Sequence, residues 1–584
     1  MTHQEAYLLV RAHFPDRLPQ EIALTIDELC GLLTCTRQNV KLLLHKWSDQ
    51  GWVSWYPGRG RGHYSRIRFH RQLREHLMEL AIRQIRSGNI QSAHDLVRKY
   101  GARDGFKAAW TAWMSTQFGW RQEVTDGGNE DVLRLPYYRP IGALDPLNSQ
   151  LRTDAHWVKQ VFDTLVEWDA ERHQAVPHLA LEWDCDESGR QWVFYLRKGV
   201  HFHHGAELTS EDVVYSLNRL RMSGDRSDYW ALLIREIAPL GPLAVSITLK
   251  EPNSLFLHVL ASPRFSIAAK DHKHLIGSGP FTIEEQTKER FVLKAFAGYF
   301  QGRPQLDTIE LWITDSVPDD SMYVPLKAAA SEQPEYKCIR SKENGACYLL
   351  FNSRKTGPQQ HPAFRRALAL ILDRARLVQS LGSDRFAPAT GFHPSIMVEE
   401  AWEAPDLLEL EGLLNQAGYR GETLRLRTYF VSDGAYERSA QAIAAQCEPF
   451  GIRMKAEISS RQVFHSSTAD AELLLMGVVA GDDWGLFLHQ MIRSDIGLWK
   501  SYLPAHTKEE LEKLLEQVLM NPDGIFNVEA IRQMDVILQE QHAVLCLYHN
   551  IVSTVIHRRL RGVKLSSSGW LQFKDVWFSP RETQ

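Results

Sequence analysis

Residues 25–69 read TIDELCGLLTCTRQNVKLLLHKWSDQGWVSWYPGRGRGHYSRIRF, and the periodicity of the stretch changes twice. Thr25, followed three residues later by Glu28, makes a capping box, and Ile26, Leu29, Leu32 and Leu33 then share one face of a short helix. Thr34, Cys35 and Thr36 form a tight turn. A second helix is expected from about Arg37 to Gln50, with Val40, Leu43, Leu44 and Trp47 at i, i+3, i+4 and i+7 as its core face. Gly51 stands where helices end in a left-handed residue. Beyond it, Trp52–Tyr56 and His63–Phe69 alternate as two strands around the glycine-rich tip at 57–62.

Two helices across a tight turn, followed by a hairpin, make a winged helix-turn-helix, a module that reads double-stranded DNA. At 100° per residue, Gln38, Lys41, Leu42, His45 and Asp49 lie opposite the apolar stripe. The first turns of a recognition helix enter the major groove, so Gln38 and Lys41 are the leading base-edge candidates, with Arg37 and His45 next. Six arginines and no acid fall within 57–74, and the two at the wing tip, Arg59 and Arg61, are placed to reach phosphate or the minor groove. The competing reading is a winged helix used for protein contact. The glycines do not make a nucleotide loop, because neither strand-loop-helix order nor GxxxxGK[ST] accompanies them. Cys30 and Cys35 have no second ligand pair to complete a zinc site.

The whole chain has 584 residues, room for two to four domains, with 44% hydrophobic and 24% charged residues. Its formal net charge of -4 hides an asymmetry. Residues 1–120 hold 17 Lys+Arg against 10 Asp+Glu, a net of +7, which leaves -11 on the rest. A basic amino-terminal part beside an acidic body fits a polyanion reader whose partner domain binds something else. The opening residues do not read as a secretory signal, no apolar run reaches membrane-spanning length, and seven cysteines at irregular spacing suggest reduced thiols. A cytoplasmic protein with no membrane partner is expected.

Helical periodicity continues through Leu73, Leu77, Leu80, Ala81 and Ile85, then Ile90, Ala93, Leu96 and Val97. The polar, turn-rich TDGGNEDV at 125–132 reads as a domain boundary. The expected division is a DNA-binding domain at 1–75, a helical connector at 76–125 and a third domain at 126–584. Past the boundary, Glu207–Arg219 reads as a helix capped by Thr209 or Ser210, and Gly277, Gly279 and Pro280 as a turn between strands. His201, His203 and His204 invite a metal reading, but on a strand only 201 and 203 share a face and no third ligand is evident. No GxSxG, HExxH or P-loop is present, so no enzyme, metal or cofactor is expected.

The third domain resembles the solute-binding proteins that serve peptide and nickel ABC transporters. The resemblance rests on an ordered set: Leu179-Ala180 with Trp183; Leu196 through Gly205, reading LRKGVHFHHG; Glu211-Asp212-Val213 with Ser216; IGSGPF at 276–281; Tyr299 with Gly302-Arg303-Pro304 and Leu306-Asp307; Phe351-Asn352-Ser353; Phe364–Leu368 and Asp373-Arg374; and Leu413-Leu414 with Ala417-Gly418-Tyr419. That family's own FHDG turn accounts for the HFHHG position without a metal. It implies two lobes, about 131–345 plus 545–584 and about 346–544, hinged around a cleft. Peptide-binding members carry an aspartate for the ligand's amine in a stretch matching GVVAGDDWGLFL. Here Ala480 stands at that position and Asp483 at the motif's second aspartate, which leaves Asp482, Asp483 and Trp484 as cleft candidates.

A winged helix followed by such a domain resembles the SgrR family of bacterial regulators, in the CTRQNV…GW…GRGR region and again in the closing SSSGWLQFKDVWF at 566–578. The resulting fold class is multidomain α+β: a winged helix-turn-helix, a helical connector and a two-lobed α/β domain of the type II periplasmic-binding-protein kind. What the resemblance implies is transcription control by a small-molecule effector, a sugar phosphate or a peptide-like solute, with residues 71–125 passing lobe closure to the DNA reader. RNA polymerase and a second copy of the chain are admitted as further partners. The rival function is that of an ABC-transport receptor, which would have no use for a basic winged helix.

Overall fold

The computed structural model describes residues 2–14, 20–58, 64–101, 106–125, 128–137, 139–149, 152–222, 229–270, 275–313, 336–382, 386–395, 402–431, 434–494, 497–520, 528–566 and 570–580. The amino-terminal helices are Ile26–Leu33, capped by Thr25 with Glu28 closing the box, and Arg37–Asp49, capped by Thr36. Gln50 caps the second helix, and Gly51 at φ 69° turns the chain as expected. Strands Val53–Tyr56 and Ser65–Phe69 pair antiparallel. A third strand, Gln20–Leu24, and a helix, His3–His13, complete the module and were not anticipated. Tyr7, Leu29, Val40, Leu44, Trp47, Ile67 and Phe69 form its core.

Three helices follow, Leu73–Arg86, Ile90–Tyr100 and Phe106–Ser115. The expected boundary after 125 is corrected by what comes next. Strand Gly119–Thr125 pairs antiparallel with Gly128–Tyr137, so TDGGNEDV contains the connection of a hairpin and not a break between domains. Both strands belong to a five-stranded sheet completed by Thr308–Ile313, Arg290–Ala295 and Phe281–Gln286. This sheet is the heart of lobe one. A four-stranded sheet, Ala180–Cys185, Gln191–Leu196, Ala244–Leu249 and Ile234–Pro239, forms a second layer around its own apolar core. The glycines of the IGSGPF turn serve close packing: a Cβ on Gly277 or Gly279 would collide with the Val161 backbone, and Gly279 donates to the Val161 carbonyl at 2.9 Å.

Lobe two is built on a seven-stranded sheet in which Gly345–Phe351 lies between Leu473–Val479 and the long strand Val544–His557. The expected return to lobe one at 545 therefore comes too early. Residues 544–550 pair within lobe two, and 551–557 pair with Tyr336–Lys342 as a two-stranded ribbon. The chain rejoins lobe one further on, where Leu571 and Phe573 enter the core beneath the five-stranded sheet.

The amino-terminal module and lobe one are continuous. Leu8 from the first helix, the apolar faces of all three connector helices, Phe118 and Trp312 from the lobe-one sheet share one buried cluster. His76 of the connector sits against the rings of Tyr7 and Trp52 at 4.7 and 4.3 Å. At the other end Phe118 packs edge-on to Trp312, over a buried ionic group. There Glu310 takes Arg134 Nε at 2.5 Å, an Arg290 nitrogen at 2.5 Å and Trp312 Nε1 at 2.7 Å. Burial alone would raise the Glu310 carboxyl, but Arg134, the Trp312 hydrogen bond and Arg290 outweigh it and hold the pKa below its ordinary value.

Candidate nucleic-acid interface and interlobe site

The helix Arg37–Asp49 turns Val40, Leu44 and Trp47 into the core, and Trp47 Nε1 donates to the His3 carbonyl at 2.9 Å. The opposite face is solvent-exposed at Gln38, Lys41, Leu42 and His45, as the helical angle requires. The four helix candidates divide into two kinds. Arg37 is held by both carboxylate oxygens of Asp27, with its Nε 2.6 Å from Oδ1, and His45 Nδ1 lies 2.8 Å from Asp49. Gln38 and Lys41 have no hydrogen-bond or ion-pair partner among the described residues. Their polar groups are therefore available to a groove, whereas Arg37 and His45 would first have to exchange a carboxylate for it.

Arg59 and Arg61 lie outside the described residues. The base of the wing is described: Gly58 N–H donates to Ser65 Oγ at 3.1 Å. On the middle strand, Ile67 and Phe69 point inward while Arg66 and Arg68 are exposed beside Tyr56 and Tyr64. These two arginines were counted in the basic run but not singled out. The alternation Arg66-Ile67-Arg68-Phe69 was the signal that both share the outer face.

Asp482, Asp483 and Trp484 come together at a seam between the lobes. Asp483 is the N-cap of helix Trp484–Arg493, accepting from Gly485 N–H at 2.9 Å and Leu486 N–H at 3.1 Å. Both of its oxygens also lie 3.0 Å from His258 Nδ1, which comes from lobe one. Trp168 stacks on His258 at 4.1 Å and donates its indole N–H to the Asp482 carbonyl at 3.2 Å. Gly485 admits this approach, since a Cβ there would press on Leu255. Trp484 is buried within the lobe-two core, beside Phe487. Of the three cleft candidates, Asp483 is thus engaged by the protein itself and Trp484 is packed away.

The seam extends beyond the candidates. Ser254 donates from its backbone to the Leu519 carbonyl and from its hydroxyl to the Val518 carbonyl. His489 of lobe two lies against Trp230 and Tyr229 of lobe one at 4.4 and 4.7 Å, and Arg493 covers Tyr229 at 5.1 Å. Burial, with a smaller push from Arg493, lowers His489 to about 3, so its ring is neutral at physiological pH. His258, Trp168, Trp230 and His489 escaped sequence reasoning because each meets its partner across more than 140 residues.

His201, His203 and His204 are not gathered into one group of three ligands. His203 Nε2 pairs with the Gly279 carbonyl at 3.0 Å, and no group of three or more His, Cys, Asp or Glu among the described residues is arranged to hold a metal. No described helix is long and apolar enough to cross a membrane.

Residues 174–492 match the family model for the middle region of bacterial extracellular solute-binding proteins, family 5, and residues 3–118 match that for the N-terminal part of the sugar transport-related sRNA regulator SgrR. The chain belongs to the SgrR family. Relatives align with it over nearly their full length. The YhjP protein of Bacillus subtilis is 32% identical across 95% of this chain and 96% of its own length. An HTH-type transcriptional regulator SgrR of Photorhabdus laumondii is 24% identical across 96% of each. Among solved structures, HbpA2 from Haemophilus parasuis superposes with a TM-score of 0.65 at 19% identity, over 77% of this chain and all of its own. The two-lobed fold of the family is thereby fixed for the carboxy-terminal part, with the winged helix as an amino-terminal addition.

Proposed function

We propose that this chain is a cytoplasmic transcription regulator whose winged helix reads double-stranded DNA and whose two-lobed domain takes a small-molecule effector between the lobes. The observation that carries the reading is the outward face of helix Arg37–Asp49, where Gln38 and Lys41 are exposed, without a partner among the described residues, on a module fused to a solute-binding fold. Gln38 and Lys41 read base edges, while Arg59, Arg61, Arg66 and Arg68 hold the backbone. The SgrR relatives carry the name of HTH-type transcriptional regulators, which supports the same reading.

The effector acts on the lobes, and the shared core assigns the parts. Reader, connector and lobe one move together, so residues 71–115 are a bracket, and lobe two is the element whose position changes relative to DNA. A tenfold change in operator affinity requires the effector to distinguish the two receptor states by about 1.4 kcal/mol, within the usual range of couplings. Reciprocity then demands that operator DNA change effector affinity by the same factor. RNA polymerase or a second protomer is the natural object for lobe two to meet or release.

Selection of duplexes from a random pool by the full chain is the direct test. An enriched motif whose enrichment disappears in Gln38→Ala/Lys41→Ala supports the proposal. Retention of random and selected duplexes at equal strength overturns it.

A further inference from the structure

Within lobe one, beside helix Arg152–Val161 and the returning segment around Phe573, lies a cavity of about 40 Å³ walled in part by Asp163, Glu167, His178, Ser266, Tyr299 and Lys574. That volume holds two or three water-sized groups. Its polar lining is incompletely satisfied. Asp163 is 3% exposed and accepts from Ser278 Oγ at 2.9 Å and Tyr299 OH at 3.3 Å, both neutral donors. Of the two lysines at the cavity, Lys574 is directed to Glu167 and Gln301, and Lys159 is a solvent-exposed residue of helix Arg152–Val161.

His178 sharpens the deficit. Its Nδ1 lies 3.1 Å from the Thr164 carbonyl, which can only accept, so the ring proton belongs on Nδ1. With that single proton on the ring, Nε2 would turn a lone pair towards Asp163 Oδ1, 3.6 Å away, and two acceptors would face each other. Among the described residues Nε2 has no hydrogen-bond partner, and neither does the buried Ser266 hydroxyl. A small void bordered by a buried carboxylate, a nitrogen lone pair and an unused hydroxyl calls for an occupant that donates several hydrogen bonds and carries positive charge. Water would meet the hydrogen bonds and leave the carboxylate uncompensated.

We propose that this cavity binds an ammonium group, either the free ammonium ion or the head of a small primary amine, bridging His178 Nε2, Asp163 Oδ1 and Ser266 Oγ. The site stands apart from the effector reading, since every group named belongs to lobe one or to the segment that returns to it.

Thermal denaturation of the full chain in ammonium, methylammonium, tetramethylammonium and sodium chlorides, at matched ionic strength, tests it. A saturable rise in Tm is expected with ammonium, and none with sodium or with tetramethylammonium, which has charge but no N–H. A matching rise with methylammonium assigns the site to amine heads, and a rise with ammonium alone assigns it to the free ion. Asp163→Asn should abolish the response. Because that change touches a buried network, Ser266→Ala is the gentler companion, expected to raise the half-saturating concentration about fivefold through one lost hydrogen bond. Four coincident salt curves overturn the proposal. So does an NMR signature of doubly protonated His178 that is indifferent to ammonium, since an imidazolium would supply the missing donor and charge by itself.

Discussion

The outward face of the recognition helix and the seam between the lobes both carry polar side chains expected to meet a partner, and they keep them in opposite ways. On the helix, Gln38 and Lys41 stand exposed with no partner among the described residues. In the seam, Asp483 is fully employed, capping one helix and holding His258 of the other lobe. The difference follows from desolvation. A surface group waits at no cost because water serves it, whereas a buried carboxylate must be satisfied at once. A ligand for the first site simply docks. One for the second must displace a contact the protein already makes.

The sharpest way to break this contrast is at the helix. Gln38→Ala/Lys41→Ala should weaken binding to a selected duplex by about 1–3 kcal/mol per lost base contact and affect random DNA far less. Equal losses on both duplexes, measured by fluorescence anisotropy, would sink the assignment of this face. Next in size is the seam. Asp483→Ala removes a helix cap worth about 1 kcal/mol and leaves His258 without its carboxylate, so stability should fall by roughly 2 kcal/mol. Asp483→Asn keeps the cap and should recover about half of that in urea titrations. A smaller effect is expected from Arg59→Ala/Arg61→Ala, which should weaken all duplexes alike and reduce the salt slope of binding by about 2. An unchanged slope would remove the wing tip from the interface.

A third kind of polar group falls between the two. Asp535 is buried in lobe two and, among the described residues, accepts only from backbone N–H groups around Phe392, and burial pushes its pKa up to about 7. Its folded pKa exceeds the ordinary value of 3.8, so the folded state binds the proton more tightly than the unfolded one. The stability it contributes is complete below pH 3.8 and is lost as pH rises through 7. Asp535→Asn should flatten the decline of Tm between pH 4 and 8, and an unaltered pH profile would contradict the shift.

What the sequence made legible was local. The capping box Thr25/Glu28, the stripe Val40–Trp47 and Gly51 each act within one or two turns, and all three appear where read. Strand Gln20–Leu24 did not, because its partner Ser65–Phe69 lies more than 40 residues away and five residues carry little period of their own. The segment at 125–132 was read as a boundary because polar turn residues look alike between domains and between strands. The ordered receptor motifs revealed the fold but not the seam, since Asp483 and His258 meet across 225 residues. The wing arginines of the candidate site, Arg59 and Arg61, fall outside the described residues.

The hairpin formed by Gly119–Thr125 and Gly128–Tyr137 has a practical consequence for anyone who would take this regulator apart. A fragment beginning at residue 126 would strip the outermost strand from the five-stranded sheet and bare the backbone edge of Gly128–Tyr137, with Phe118 gone from the side of Trp312. Such an edge recruits strands from other molecules, and the fragment should self-associate. A receptor cut ahead of Phe118 would carry its own edge strand and remain dispersed. Exchange of DNA readers between family members has its natural joint there as well, upstream of the sheet.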